Sequence, residues 1–168
     1  MLDKRFWAIY KEAFPPEQRR SEAQQLEIMK CKEYKLKFHI VMDELQAFLA
    51  FWQFENFVFL EHFAVDKKWR GKGIGRIILE ELCMNHEQPI FLEVERPENE
   101  HKIKRIRFYE QLGFVLNDFA YEQPAYTEEG SSIDLAIMSL SQKISKESFA
   151  KYKRKIYEKV YHKTIREE

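Results

Sequence analysis

Arg70-Gly71-Lys72-Gly73-Ile74-Gly75 places three alternate glycines and fixed positive charge at one point of the chain. Glycine permits a tight turn at positive φ and lets a ligand approach the backbone closely. The apolar run Phe57–Val65 leads into the segment through Asp66-Lys67-Lys68-Trp69, and an apolar helical pattern follows at once. The unpaired N–H groups and the dipole at a helix start stabilise an anion there. Arg70, Lys72 and Arg76 add charge of the matching sign. This is the chemistry of a diphosphate site. The spacing is G-x-G-x-G rather than the G-x-G-x-x-G of dinucleotide folds, and Lys72 is followed by glycine rather than the Ser or Thr of a triphosphate loop. The plainer alternative is a turn whose basic residues only face solvent. It leaves three alternate glycines at a helix start unexplained.

Other residues able to do chemistry lie inside apolar stretches. Glu61 sits in Leu60-Glu61-His62-Phe63, and Glu93 and Glu95 in Leu92-Glu93-Val94-Glu95. A carboxylate embedded in an apolar strand is costly unless it faces a cavity or a partner. Arg96, Arg105 and Arg107 are the candidate partners. Glu93 and Glu95 share one face by the strand period. His62 falls on the opposite pleat from Glu61 and reads as a satisfied core or site-lining histidine. Tyr109, read from its neighbours alone, is one rung of a helix-face ladder with Ile106 and Leu112.

The elements that must position these groups follow from periodicity. Phe6, Ile9, Tyr10, Ala13 and Phe14 give a helix that Pro15-Pro16 ends, and Ser21 caps a second helix running to about Cys31. Alternation from Tyr34 to Met42, the apolar run Leu45–Phe54 and the run Phe57–Val65 give three strands joined by short turns, an antiparallel meander. Beyond Val65 helix and strand alternate. Ile74–Cys83 is a helix, Ile90–Glu95 a short strand and Ile103–Leu112 a helix with Gly113 as its left-handed cap. Phe114–Tyr121 and Ser132–Leu140 are strands around a loop at Gln123–Tyr126, and Ser145 to about Thr164 is a last helix. The expectation is one domain over residues 1–168, an α/β (α+β) fold with a mixed, mostly antiparallel sheet flanked by helices.

Composition narrows the class of protein. Of 168 residues 45% are hydrophobic and 15% aromatic, which excludes a disordered chain. Charges cancel to a formal net of zero, so no whole-protein field for nucleic acid or membrane is indicated. Lys143–Arg166 nevertheless holds nine basic residues, against 19 basic and 24 acidic residues in 1–142. Cys31 and Cys83 lack C-x-x-C spacing and read as free thiols. Neither a signal-peptide core nor a run of membrane-spanning length is present, so a cytoplasmic protein is expected.

Arg70-x-x-Gly73-x-Gly75 resembles the Q/R-x-x-G-x-G/A signature of the GCN5-related N-acetyltransferases. Phe63-Ala64-Val65-Asp66 resembles the strand end that leads into that family's loop, and Phe108-Tyr109-Glu110-Gln111-Leu112-Gly113-Phe114 its second marker. The resemblance covers residues 34–140 or so, leaving the helix at about 145–164 as an addition. It implies an acyl-CoA N-acyltransferase fold whose sheet splays after the glycine-loop strand. It implies acetyl-CoA as acyl donor with no metal, and transfer of the acetyl group to a primary amine by direct attack. Phe63, Ala64 and Val65 would supply backbone groups to the pantetheine arm, and Arg70, Gly71, Lys72, Gly73, Ile74 and Gly75 would hold the pyrophosphate. Lys102 stands where relatives carry an asparagine near the cofactor. Asn99, three residues earlier, is expected to cap the helix and reach the cofactor instead. Tyr109 matches the tyrosine that protonates the leaving thiolate. Leu92-Glu93-Val94-Glu95 resembles the strand that carries the base in some members, with Glu61 as second choice and Glu95 on the same face as Glu93.

An acidic body with site carboxylates suits a cationic acceptor, whether a small-molecule amine or a protein amine. Residues Gln123–Tyr126 and the N-terminal helices are expected to shape its pocket. The alternatives are a non-catalytic acyl-CoA-binding or regulatory module, and nucleic-acid binding by the basic helix. The second is disfavoured, because the stripe Phe149, Tyr152, Ile156, Val160 reads as a core-facing side. Homodimerisation through that helix or a sheet edge is left open, as is the identity of the amine.

Overall fold

The computed structural model describes residues 2–165; Met1 and 166–168, including the last arginine of the basic run, lie outside the described residues. Two compact units follow each other along the chain, Met1–Ile90 and Phe91–Glu168.

The first unit contains α1 (Lys4–Ala13), α2 (Glu22–Ile28), β1 (Tyr34–Val41), β2 (Glu44–Gln53), β3 (Val58–Val65) and α3 (Ile74–Met84), with one-turn 3-10 helices at Pro16–Gln18 and Lys67–Trp69. The helix starts are set by local chemistry. Asp3 accepts from the Arg5 amide at 2.8 Å, and Ser21 with Gln24 forms a reciprocal capping box. The second helix is shorter than its periodicity suggests, ending at Ile28. β1 pairs with β2 and β2 with β3, all antiparallel, so the expected meander is present. The tight turn between β1 and β2 has Met42 and Asp43 at φ 48° and 63°. A bulge in each ladder, at His39/Ile40 and at Ala50/Phe51, shifts the register. Central β2 is buried from Leu45 to Trp52, which explains why it reads as an apolar run rather than as an alternation, with only Gln46 polar inside it. Phe6 of α1 packs edge-on to Phe48 at 4.9 Å and alongside Phe38 at 5.8 Å.

The second unit contains β4 (Ile90–Val94, entered at the unit boundary), α4 (Glu100–Gln111), β5 (Phe114–Gln123), β6 (Ile133–Leu140) and α5 (Lys146–Lys159). β4 and β5 both pair antiparallel with β6, which lies between them. Asn99 caps α4 and Ser145 caps α5. Gly113, at φ 93°, turns the chain out of α4 as anticipated. α5 lies on this sheet: Phe149 stacks on Phe119 at 4.0 Å and Tyr152 on Phe91 at 5.4 Å. Its aromatic stripe is therefore a packing face. Antiparallel sheets carrying helices make the chain mixed α/β, the expected class.

Cys31 and Cys83 are free thiols. Among the described residues no helix is long and apolar enough to cross a membrane.

Candidate active site

The glycine segment lies in the first unit. Asp66 accepts from the Lys68 amide at 2.9 Å and folds Lys67–Trp69 into a single turn after β3. Gly71 and Gly73 then take φ 76° and 81°, the left-handed region that other residues adopt only at a cost. Gly73 is the N-cap of α3, with no side-chain cap, and Gly75 lies in the first helical turn. The first-turn amides consequently have no partner within the helix. A Cβ at Gly71 or Gly73 would meet nothing within 4 Å. The space over the loop is open to a ligand. An open left-handed turn, free amides and a helix N-terminus fit a diphosphate group.

The basic side chains around the loop are engaged elsewhere. Arg70 Nη1 donates to Glu12 Oε1 at 3.1 Å, its Nη2 pairs with Oε2 of the same carboxylate, and its Nε donates to the Val65 carbonyl at 3.0 Å. Lys72 Nζ sits 4.6 Å from the Trp69 ring centroid, and Arg76 Nε donates to Glu80 at 2.8 Å. Phe63, Ala64 and Val65 end β3, with Ala64 buried.

Glu61 lies on β3 with its side chain only 1% exposed. Its partner is none of the three arginines named from sequence. Arg20, 4% exposed, places Nη1 2.8 Å from Oε2 and 3.0 Å from Oε1, and Trp52 Nε1 donates to Oε1 at 2.8 Å. Burial pushes the Glu61 pKa up, but Arg20, His62 and these hydrogen bonds outweigh it and hold the carboxyl below its ordinary range. His62 Nε2 is 2.8 Å from the Gln18 carbonyl, so that nitrogen carries the proton. Phe14 and Tyr10 contact its ring edge-on at 4.6 and 5.1 Å. Burial lowers the His62 pKa, keeping it neutral as a core histidine should be. Arg96 pairs with Asp134 instead, and Glu95 is held by Lys102 at 3.2 Å and Arg105 at 3.6 Å.

Tyr109, Asn99 and Glu93 lie in the second unit. Tyr109 is 8% exposed on α4, edge-on to Phe108 and Phe114 at 5.3 and 5.9 Å. Burial, partly opposed by Arg105, pushes its pKa up to about 12. The phenol is therefore protonated at neutral pH, and its hydroxyl bonds to none of the described residues. Asn99 Oδ1 accepts from the Lys102 amide at 2.9 Å, completing the cap expected of it. Half-buried Glu93 accepts from Tyr121 Oη at 2.8 Å and from Tyr161 Oη, at 2.7 Å to Oε1 and 3.0 Å to Oε2.

Sequence reasoning missed Glu12, Arg20, Tyr121 and Tyr161 as partners of the site residues. Tyr161 falls outside the Phe149–Val160 stripe, and Arg20 lies in an irregular segment where no period operates. Among the described residues no cluster of three or more His, Cys, Asp or Glu could hold a metal.

Residues 35–116 match the family model described as Acetyltransferase (GNAT) domain. A solved structure from Bacteroides thetaiotaomicron, designated a candidate acetyltransferase of the GNAT family, superposes with TM-score 0.88 at 30% identity, over 94% of this chain and 90% of that one. YjbC of Bacillus subtilis (strain 168), whose name proposes an acetyltransferase, is 31% identical over 110 residues, covering 61% of this chain. The chain spans about half the length of that curated relative, 53%. An Elizabethkingia anophelis GNAT acetyltransferase solved with acetyl-CoA bound shares the fold, with TM-score 0.58 at 12% identity over 81% of this chain and 90% of that one.

Proposed function

The chain belongs to the GNAT acetyltransferase family, with the acyl-CoA N-acyltransferase fold, and on that premise we propose that it transfers an acetyl group from acetyl-CoA to a primary amine. The family model runs from residue 35 to 116, across the boundary between the two units, which supports reading 1–168 as one acyltransferase domain. The open turn at Gly71 and Gly73 and the free amides of Ile74 and Gly75 suit the pyrophosphate, with Arg70 and Lys72 supplying charge. The backbone of Phe63, Ala64 and Val65 would pair with the pantetheine arm, and Asn99, the cap of α4, would be a further contact. Acetyl-CoA supplies the thioester.

In this reading Glu93 takes a proton from the attacking nitrogen and Tyr109 gives one to the departing sulfur, so amine and thiol exchange one proton overall. The observation that carries catalysis rather than simple binding is Tyr109: a buried phenol, protonated at neutral pH, whose hydroxyl bonds to no described residue. Glu61 is the poorer base, because Arg20 neutralises it in the core. The free thiols Cys31 and Cys83 agree with a reducing cytoplasm.

A second reading, a non-catalytic acyl-CoA-binding module, draws on the same carboxylates, since Glu61 and Glu93 both already have partners. The two separate in an assay of CoA release from acetyl-CoA with spermidine, kanamycin, and peptides offering an N-terminal alanine or an internal lysine. Turnover on one acceptor, lost in Tyr109→Phe, supports the enzyme. Acetyl-CoA binding with no turnover on any of them supports the module.

A further inference from the structure

Two phenols from different elements meet on one carboxylate. Tyr121 comes from near the C-terminal end of β5, while Tyr161 follows Val160, the C-cap of α5. Both are nearly fully buried, at 2% and 4% exposure, and their hydroxyls lie 2.8 and 2.7 Å from Glu93 Oε1. The rings are themselves clamped. Tyr161 packs on Tyr126 at 5.2 Å, and Tyr121 lies edge-on to Tyr157 at 6.0 Å and Phe149 at 6.2 Å. Tyr121 from β5 and Tyr161 from the end of α5 donate to Glu93, Tyr157 of α5 lies within electrostatic reach of it, and Tyr126 from the loop between β5 and β6 packs on Tyr161.

A phenol has one proton to donate. Two phenols that donate to one carboxyl group favour its ionised form, which accepts at both oxygens, over the acid, whose hydroxyl oxygen carries a proton of its own. Burial, the Glu93 charge and the hydrogen bond to it raise the Tyr121 pKa well above 10, so this donor does not ionise in competition. An ionised carboxylate has about four acceptor sites, and the two phenols fix which way it faces. A base for an amine needs both properties: a standing negative charge and a fixed direction.

We infer that Tyr121 and Tyr161 are positioning residues that hold the Glu93 carboxylate ionised and oriented for proton acceptance, which makes the C-terminal helix part of the catalytic apparatus. This rests on the reading of Glu93 as the base. α5 then has two tasks. Phe149 and Tyr152 pack it on the sheet, and the turn at its end delivers one hydroxyl to β4.

The test is the titration of the Glu93 side-chain carboxyl, followed by NMR in the full chain and assigned with Glu93→Gln. It is repeated in Tyr121→Phe and Tyr161→Phe, which keep the rings, with melting temperature confirming that each is folded. Losing one donor to the charged form moves the midpoint up by about one pH unit. In the CoA-release assay kcat falls about tenfold in each, with KM for acetyl-CoA unchanged. An unmoved midpoint in both variants overturns the inference even when Glu93→Gln is inactive, and leaves the base reading standing. Full turnover in Glu93→Gln overturns the base reading, and the inference with it.

Discussion

The guanidinium of Arg70 is clasped by the carboxylate of Glu12, 58 residues earlier, while its Nε donates to the carbonyl of Val65. Arg70 is thereby turned toward α1 and the end of β3. The cation that the loop signature would place on a diphosphate is held by a carboxylate, so an anionic ligand must compete with Glu12 for it.

Glu12→Gln should therefore tighten CoA binding. Exposed ion pairs contribute about 0.2–1 kcal/mol, so the expected fall in Kd is about 1.4- to fivefold, read by isothermal titration calorimetry. Arg70→Ala should weaken binding and make the Glu12 substitution silent. Looser binding in Glu12→Gln would mean that the pair preorganises the loop.

Gly73→Ala places a Cβ on a left-handed residue and on the open side of the loop. The backbone penalty is about 1–2 kcal/mol of stability. CoA affinity should fall by more than the same change at Gly71, because Gly73 caps α3 directly. Equal Kd values for the two variants would sink this expectation.

Tyr109→Phe should lower kcat by about 10²-fold or more while leaving the Kd for acetyl-CoA near wild type. With its pKa at about 12, Tyr109 stays protonated, so no alkaline loss of rate below about pH 10 should be traced to it. A basic limb near neutrality that vanishes in Tyr109→Phe would contradict this.

Arg20→Met leaves the Glu61 charge buried without its partner, at a cost of about 3–5 kcal/mol at neutral pH. In the wild type the Glu61 pKa lies below 4.5, so its contribution is present above that value and lost as pH falls through the acid range beneath it. His62, held below 6.5, acts in the same sense, with stability declining as pH drops under about 6.5. In Arg20→Met, protonating Glu61 relieves the buried charge, so the acid slope should flatten or reverse. Urea unfolding between pH 3 and 8 reads both effects.

Local chemistry made much of the fold legible. A left-handed glycine, a capping serine or a period of two is decided by neighbours a few residues away. Gly73, Gly113, Ser21 and the β1–β3 meander accordingly match their sequence signals. The Asn99 cap was readable for the same reason. The helix that stops early at Ile28 was not, because its periodicity continues beyond the point where the chain turns into β1.

The loop and the order of its flanking elements follow from sequence alone, because turn geometry and helix-end electrostatics are short-range. Which charges are spent in pairs was decided only by tertiary structure. Glu61 meets Arg20 across 41 residues, Arg70 meets Glu12 across 58, and Glu93 meets Tyr161 across 68. Periodicity alone does not tell what either Glu61 or Glu93 will meet, since both are acids embedded in apolar strands. Packing made one a sealed ion pair in the core and gave the other two neutral donors. A pairing between distant side chains costs chain entropy that only the assembled core offsets, so no local signal records it.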